Sequence, residues 1–130
     1  MSDTIRVLIA DDSAAVRGLL RTHLSTQPHI EVVGAVDDGD VAVKEAKRLK
    51  PDLVLMDISM PRMSGLEATK QIKARRRAPR LIIVSLNDDE QHRKAAANAG
   101  ADGFCSKTDA VSKLIPMIRA FYPELAAESN

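Results

Sequence analysis

Two hydrophobic periods take turns along this chain, and few architectures accommodate that alternation. Short runs rich in β-branched residues stand at Ile5–Ala10, Ile30–Val36, Leu53–Met56 and Leu81–Val84, with a weaker one at Asp102–Cys105. Three of them are nearly continuously apolar, as strands covered on both faces of a parallel sheet should be. Between the runs the spacing becomes helical. Val16, Leu19, Leu20 and Leu24 share one face, as do Ala42, Ala46 and Leu49, and less cleanly Leu66, Thr69 and Ile72. Asp88–Ala99 is alanine-rich and polar, so its helix is expected from propensity more than from pattern. Val111, Leu114, Ile115, Ile118 and Tyr122 make the clearest stripe. A strand–helix unit repeated in this way implies an α/β fold with right-handed crossovers, a parallel sheet and helices on both faces.

Breakers fall where such a fold needs them. Pro28, Pro51, Pro79 and Pro123 each follow the end of a helical pattern, and Gly100 follows the fourth as a left-handed cap would. Pro116 lies inside the last stripe, so that helix is expected to start late or to kink there. Gly18 lies inside the first helix at a cost of roughly 1 kcal/mol against alanine, for which close helix packing would be the reason. Glu124–Asn130 reads as a continued helix or a frayed end.

Length and composition narrow the function. The 130 residues suit one domain, and 45% hydrophobic with 28% charged residues is an ordinary globular balance. A net charge of +1 leaves no overall attraction to nucleic acid or membranes, so any electrostatic function must be local. The single cysteine, Cys105, excludes an internal disulfide framework and a multi-cysteine zinc site. Phe104, Phe121 and Tyr122 are the only aromatics, too few for a base-stacking surface. No apolar run approaches a membrane span and Met1–Thr4 carries no leader pattern, so the cytoplasm is the expected compartment.

In an open parallel sheet, ligands bind beyond the carboxyl ends of the strands. The first strand ends in Asp11-Asp12, the third in Asp57, the fourth in Ser85 and the fifth in Cys105-Ser106-Lys107. Taken singly these are ordinary residues: a helix cap at Asp12 or Ser13, a turn aspartate, a surface lysine. Their convergence on one edge is not. Clustered carboxylates repel unless a cation intervenes, and oxygen ligands without His or Cys suit a hard ion such as Mg²⁺. Lys107 adds a compact positive charge for an anion, and Ser85 a hydrogen bond. Such a site suits a phosphoryl group beside a metal, with one carboxylate as covalent acceptor.

The segments VLIADDSAAVR (7–17), DLVLMDISMPRMSGLEA (52–68), LIIVSLNDD (81–89) and AGADGFCSK (99–107) resemble the receiver domain of two-component response regulators, across about Ile5 to Tyr122. The resemblance implies a flavodoxin-like sheet in the order 2-1-3-4-5 with five helices, as one receiver domain over residues 1–130. It implies Asp57 as phosphoacceptor, receiving a phosphoryl group from a sensor histidine kinase or a histidine phosphotransfer protein. Asp12, Asp57 and the backbone carbonyl of Ser59 would ligate Mg²⁺, with Asp11 acting largely through water. Lys107 would pair with acceptor and phosphoryl oxygens, Ser85 and Phe104 would be the switch residues, and Pro61, Gly65 and Leu66 would shape the way into the third helix. On phosphorylation Ser85 would move toward the new oxygens and Phe104 turn inward. That would change the face of the fourth helix, fifth strand and fifth helix for a downstream protein or a second copy of the chain. Catalysis would be confined to the chain's own phosphorylation and dephosphorylation.

The same segments are similar to the receivers of helix-turn-helix regulators and of chemotaxis methylesterases, so the chain is alternatively the regulatory half of a longer protein. Nucleic acid would be a partner only in that case. A true phosphatase usually carries an Asp-x-Asp pair; here Ser59 takes the second place.

Some positions depart from the family pattern. Leu86 follows Ser85 where many members have a small residue, so it should narrow access to the acceptor. Thr108 replaces the usual proline after Lys107, and the bond between them is expected to be trans. Phe104 lacks the hydroxyl of the tyrosine often found there, and Ser59 and Asn87 hold positions that tune hydrolysis. Elsewhere, Lys73, Arg75, Arg76 and Arg77 read as solvated cations at a helix C-terminus. His23, His29 and His92 fit no metal spacing and read as surface or capping residues. Cys105 reads as a small buried strand residue, and Met56, Met60 and Met63 as packing around the acceptor loop.

Overall fold

The computed structural model describes residues 4–124. The strands are β1 (Ile5–Ala10), β2 (Ile30–Val36), β3 (Leu53–Met56), β4 (Arg80–Ser85) and β5 (Gly103–Ser106). The helices are α1 (Ala14–Leu24), α2 (Gly39–Leu49), α3 (Gly65–Lys73), α4 (Glu90–Ala99) and α5 (Ala110–Phe121), the last preceded by a 3₁₀ turn at Lys107–Asp109. The sheet is parallel throughout, in the order β2-β1-β3-β4-β5.

Side-chain alternation within the central strands builds two cores. Val7, Ile9, Leu53, Leu55, Ile82 and Val84 face α1 and α5, where Leu20, Leu24, Leu114 and Ile118 close the layer. Leu8, Ala10, Val54, Met56, Leu81 and Ile83 face the other way, onto Ala42, Ala46, Ala68, Ile72 and Ala96 of α2, α3 and α4. Both faces being covered explains why these strands read as unbroken apolar runs. β2 is an edge strand and only partly buried. Its register slips between Val7 and Leu8, so that Val33 is passed over.

The helix ends follow local chemistry. Ser13, Asp38, Ser64 and Asp89 cap α1, α2, α3 and α4 by accepting backbone N–H bonds with their side chains. Gly100 ends α4 at φ 104°, the left-handed cap expected of it. Three expectations need correction. α5 does not start late: it runs from Ala110, directly after the 3₁₀ turn, and continues through Pro116. Gly18 is not a packing contact, since a Cβ there would meet nothing within 4 Å. Leu19 and Val111 belong to helical stripes by spacing, yet they are 54% and 60% exposed. The expected tail from Glu124 lies, after that residue, outside the described residues, as do the first three. Among the described residues no helix is long and apolar enough to cross a membrane.

Candidate functional site

Backbone bonds between strand ends bring the acidic residues together. The Asp57 N–H donates to the Ala10 carbonyl at 2.9 Å, and the Asp11 N–H donates to the Val36 carbonyl at 3.0 Å. These bonds carry the ladder one residue past β1 and β3, so both aspartates emerge at the same level of the sheet edge. One carboxylate oxygen from each of Asp11, Asp12 and Asp57 lies within 4.8 Å of the others. On the far side Ser85 is paired with Ser106, and Lys107 follows directly. Its ammonium reaches back over the edge, 2.8 Å from Asp11 Oδ2 and 3.4 Å from Asp57 Oδ1. A cleft of about 410 Å³ lies above, lined by Asp12, Asp57, Ser59, Ser85, Leu86 and Lys107 among others.

The electrostatics are strained. Asp11 and Asp57 are buried, while Asp12 is exposed. Burial, then the charge of Asp11, push the Asp57 carboxyl above its ordinary value of 3.8, and Lys107 offsets only part of this. Burial acts against the charged Lys107 ammonium, but the hydrogen bond to Asp11 and the charge of Asp57 outweigh it and hold the amine protonated. One ammonium thus serves an edge that carries three carboxylates. The donor set is all oxygen, closely spaced and short of positive charge, which fits a hard divalent cation such as Mg²⁺.

Each sequence-derived residue has a definite place. Asp11, Asp12, Asp57, Ser59, Ser85 and Lys107 converge on the edge. The Asp11 carboxylate is held from two sides. Beyond Lys107, its Oδ1 accepts the Ser13 N–H at 2.9 Å. Ser85 Oγ accepts the Asn87 N–H at 3.1 Å, which leaves its proton free to donate. Leu86 stands 67% exposed at the rim of the cleft. Phe104 lies apart from the cleft, half-buried against the α2–α3–α4 core, with the Arg93 guanidinium 4.6 Å from its ring centre. No described peptide bond is cis, so Lys107–Thr108 is trans as expected.

Other residues around the site, apart from Gly65, were not legible as such. Arg17 Nη1 donates to the Asp11 carbonyl at 2.8 Å, bracing the strand end; in sequence it is one polar residue of an amphipathic helix. Thr108 shares a 2.8 Å hydroxyl contact with Ser106 and steadies the turn behind Lys107. Asp38 holds the loop after Asp57. It accepts from Arg62 Nε at 2.8 Å and from the Met63 N–H at 3.4 Å, with Arg62 at a left-handed φ of 55°. Gly65 closes the loop. A Cβ there would sit 1.7 Å from the Asp57 carbonyl oxygen, so only glycine lets α3 begin so near the acceptor.

The fold and this constellation together define a class, the doubly wound α/β domain with an acidic strand-end site. Comparison with known proteins places it further: the response regulator receiver domain pattern matches residues 7–119, and the chain belongs to that family. It is 40% identical over 116 residues to the transcriptional regulatory protein LiaR of Bacillus subtilis, covering 89% of this chain and 55% of that protein. It is 49% identical over 87 residues to a protein-glutamate methylesterase/protein-glutamine glutaminase of Geobacter metallireducens, covering 67% of this chain and 25% of that one. The chain thus spans about half and about a quarter of these two relatives. Among solved structures, the response regulator domain of Thermotoga maritima CheB matches at 36% identity and a TM-score of 0.83, over 90% of this chain and 95% of that one. The CheX–CheY–BeF₃–Mg²⁺ complex of Borrelia burgdorferi matches at 27% identity and a TM-score of 0.84, over 91% and 89%.

Proposed function

We propose that Asp57 is a phosphoacceptor and that its phosphorylation, with Mg²⁺ at Asp11, Asp12, Asp57 and the Ser59 carbonyl, switches the protein contacts of this receiver. The observation that carries this reading is the meeting of Asp11, Asp12 and Asp57 within 4.8 Å, with Lys107 bridging two of them. The bound metal would supply positive charge to shield the carboxylates and the incoming oxygens.

The chain's own residues do the rest. One Asp57 oxygen forms a bond to the phosphorus of a phosphohistidine on a histidine kinase or phosphotransfer protein. The P–N bond breaks, and its electron pair stays on the imidazole. Lys107 lies near enough to meet the developing negative charge, and the Ser85 hydroxyl retains a proton to donate to a phosphoryl oxygen. The product carries roughly −1.5 to −2 charge and three acceptor oxygens. Ser85 then shifts toward it and Phe104 turns inward from its place beside Arg93, reshaping the face of α4, β5 and α5 for a downstream protein or a second copy. The chain is not a turnover enzyme and acts only on its own acyl phosphate, in the cytoplasm.

The longer relatives, a transcriptional regulator and a methylesterase, favour a second setting for the same chemistry, as the regulatory part of a larger protein.

Incubation with acetyl phosphate and Mg²⁺ should add one phosphoryl group per chain, read by intact mass. Asp57→Asn and metal chelation should each abolish uptake. Equal uptake by the variant would refute the assignment.

A further inference from the structure

The opposite edge of the sheet, where the strands begin, holds a second cleft of about 930 Å³. Lys50, Arg75, Arg76, Arg77 and Arg80 line it against a single acid, Asp52. Asp52 does not neutralise them. Its Oδ2 accepts the Arg6 backbone N–H at 2.8 Å, and among the described residues it pairs with none of the five cations.

The plain alternative is that cations gather at helix C-termini, where backbone carbonyls lack partners. Here several of those carbonyls are served already. Lys70 and Ile72, at the end of α3, accept the backbone N–H groups of Ala74 and Arg75 at 3.0 and 3.3 Å. Leu49 and Lys50, at the end of α2, accept from Arg6 Nη1 at 2.8 and 2.9 Å. Lys73 is likewise satisfied, 2.7 Å from Asp102 Oδ2 and 2.9 Å from the Pro79 carbonyl. Arg75 is not: its Nη1 is buried with no hydrogen-bond partner. Arg76 and Arg77 are exposed beside it. A buried guanidinium nitrogen without an acceptor, among cations that pair with no acid among the described residues, is the arrangement of a site that expects an anion.

The chemistry of the walls narrows which anion. Guanidinium forks match the paired oxygens of phosphate and carboxylate. Five cations around one cleft require dense negative charge, which a chain of linked phosphates carries on every phosphorus. A peptide spaces its carboxylates along a backbone, and a nucleic-acid strand would need more stacking surface than the one lining aromatic, Tyr122. We propose that this cleft binds a short polyphosphate chain, free or as the tail of a nucleotide, independently of the phosphorylation of Asp57.

Calorimetric titration of the protein with sodium tripolyphosphate, without Mg²⁺, should show one saturable site whose affinity falls with added salt. Arg76→Gln/Arg77→Gln, at two exposed positions, should weaken it tenfold or more. Asp57→Asn should leave it unchanged, which separates this cleft from the strand-end site. So should Arg21→Gln/Lys44→Gln, which removes the same charge from exposed positions elsewhere. ATP binding as tightly as tripolyphosphate would identify the phosphate chain as the ligand, and tighter binding would identify a nucleotide. Absence of saturable binding, equal weakening in both double variants, or tighter binding of oligothymidylate or polyglutamate would overturn the proposal.

Discussion

At Asp57, burial and the nearby charge of Asp11 favour the protonated form, and this has a consequence for stability. The folded carboxyl holds its proton to a higher pH than the unfolded one, whose value is near 3.8. Its contribution to stability is therefore most favourable below that value and declines as pH rises through the raised one. Asp57→Asn removes the cost. It should raise the melting temperature at pH 7 by several degrees, about 1–2 kcal/mol, and the gain should vanish below the ordinary carboxylate range. Thermal melts of both proteins from pH 3 to 8 check this; a variant no more stable at neutral pH would contradict it. Gly65→Ala acts on the same residue from behind. Its Cβ would overlap the Asp57 carbonyl, so it should destabilise by about 2–4 kcal/mol in urea unfolding. Asp11, Asp12, Asp57, Ser85 and Lys107 were legible because they sit at or just past strand ends, where an α/β fold must expose them, whereas Ser59 came only from the family resemblance. Their bracing by Arg17, Thr108 and Asp38 was not legible, since these bonds span loops whose conformation no periodicity records.

Among the elements, strands and helices were legible wherever both faces or one full stripe are buried. β1, β3 and β4 are of the first kind, and α5, apart from Val111, is of the second. Spacing alone failed at Leu19 and Val111, because the stripe of a helix is wider in sequence than the surface the sheet offers it. Gly18 likewise proved a solvent-facing helix residue with open space around it. Gly18→Ala should therefore stabilise the protein by about 0.5–1 kcal/mol, read as a shift of the denaturation midpoint. The loop between β3 and α3 hangs on Asp38. Burial opposes its charge, but hydrogen bonds from Arg62 and the Asp40 N–H prevail and hold its carboxyl below the ordinary range. Its contribution is present above pH 3.8 and lost as pH falls through the lower folded value. Asp38→Asn should lower stability at neutral pH, and faster amide exchange over residues 58–64 would locate the loss.

The whole molecule separates two charged edges on one sheet: carboxylates where the strands end, arginines where they begin. A net charge of +1 conceals both, which is why composition suggested neither. If the acidic edge holds Mg²⁺, the metal stabilises the folded chain by mass action, about 2.7 kcal/mol at a hundredfold excess over Kd. Chelation should remove that increment, and Asp12→Ala, at an exposed position, should abolish its metal dependence without unfolding the protein. The most direct measurement locates the phosphoryl group itself. After acetyl phosphate treatment with Mg²⁺ and chemical trapping of the acyl phosphate, tandem mass spectrometry of the peptides should place the modification on Asp57. A label on Asp11 or Asp12 instead, with Asp57 unmodified, would contradict the account.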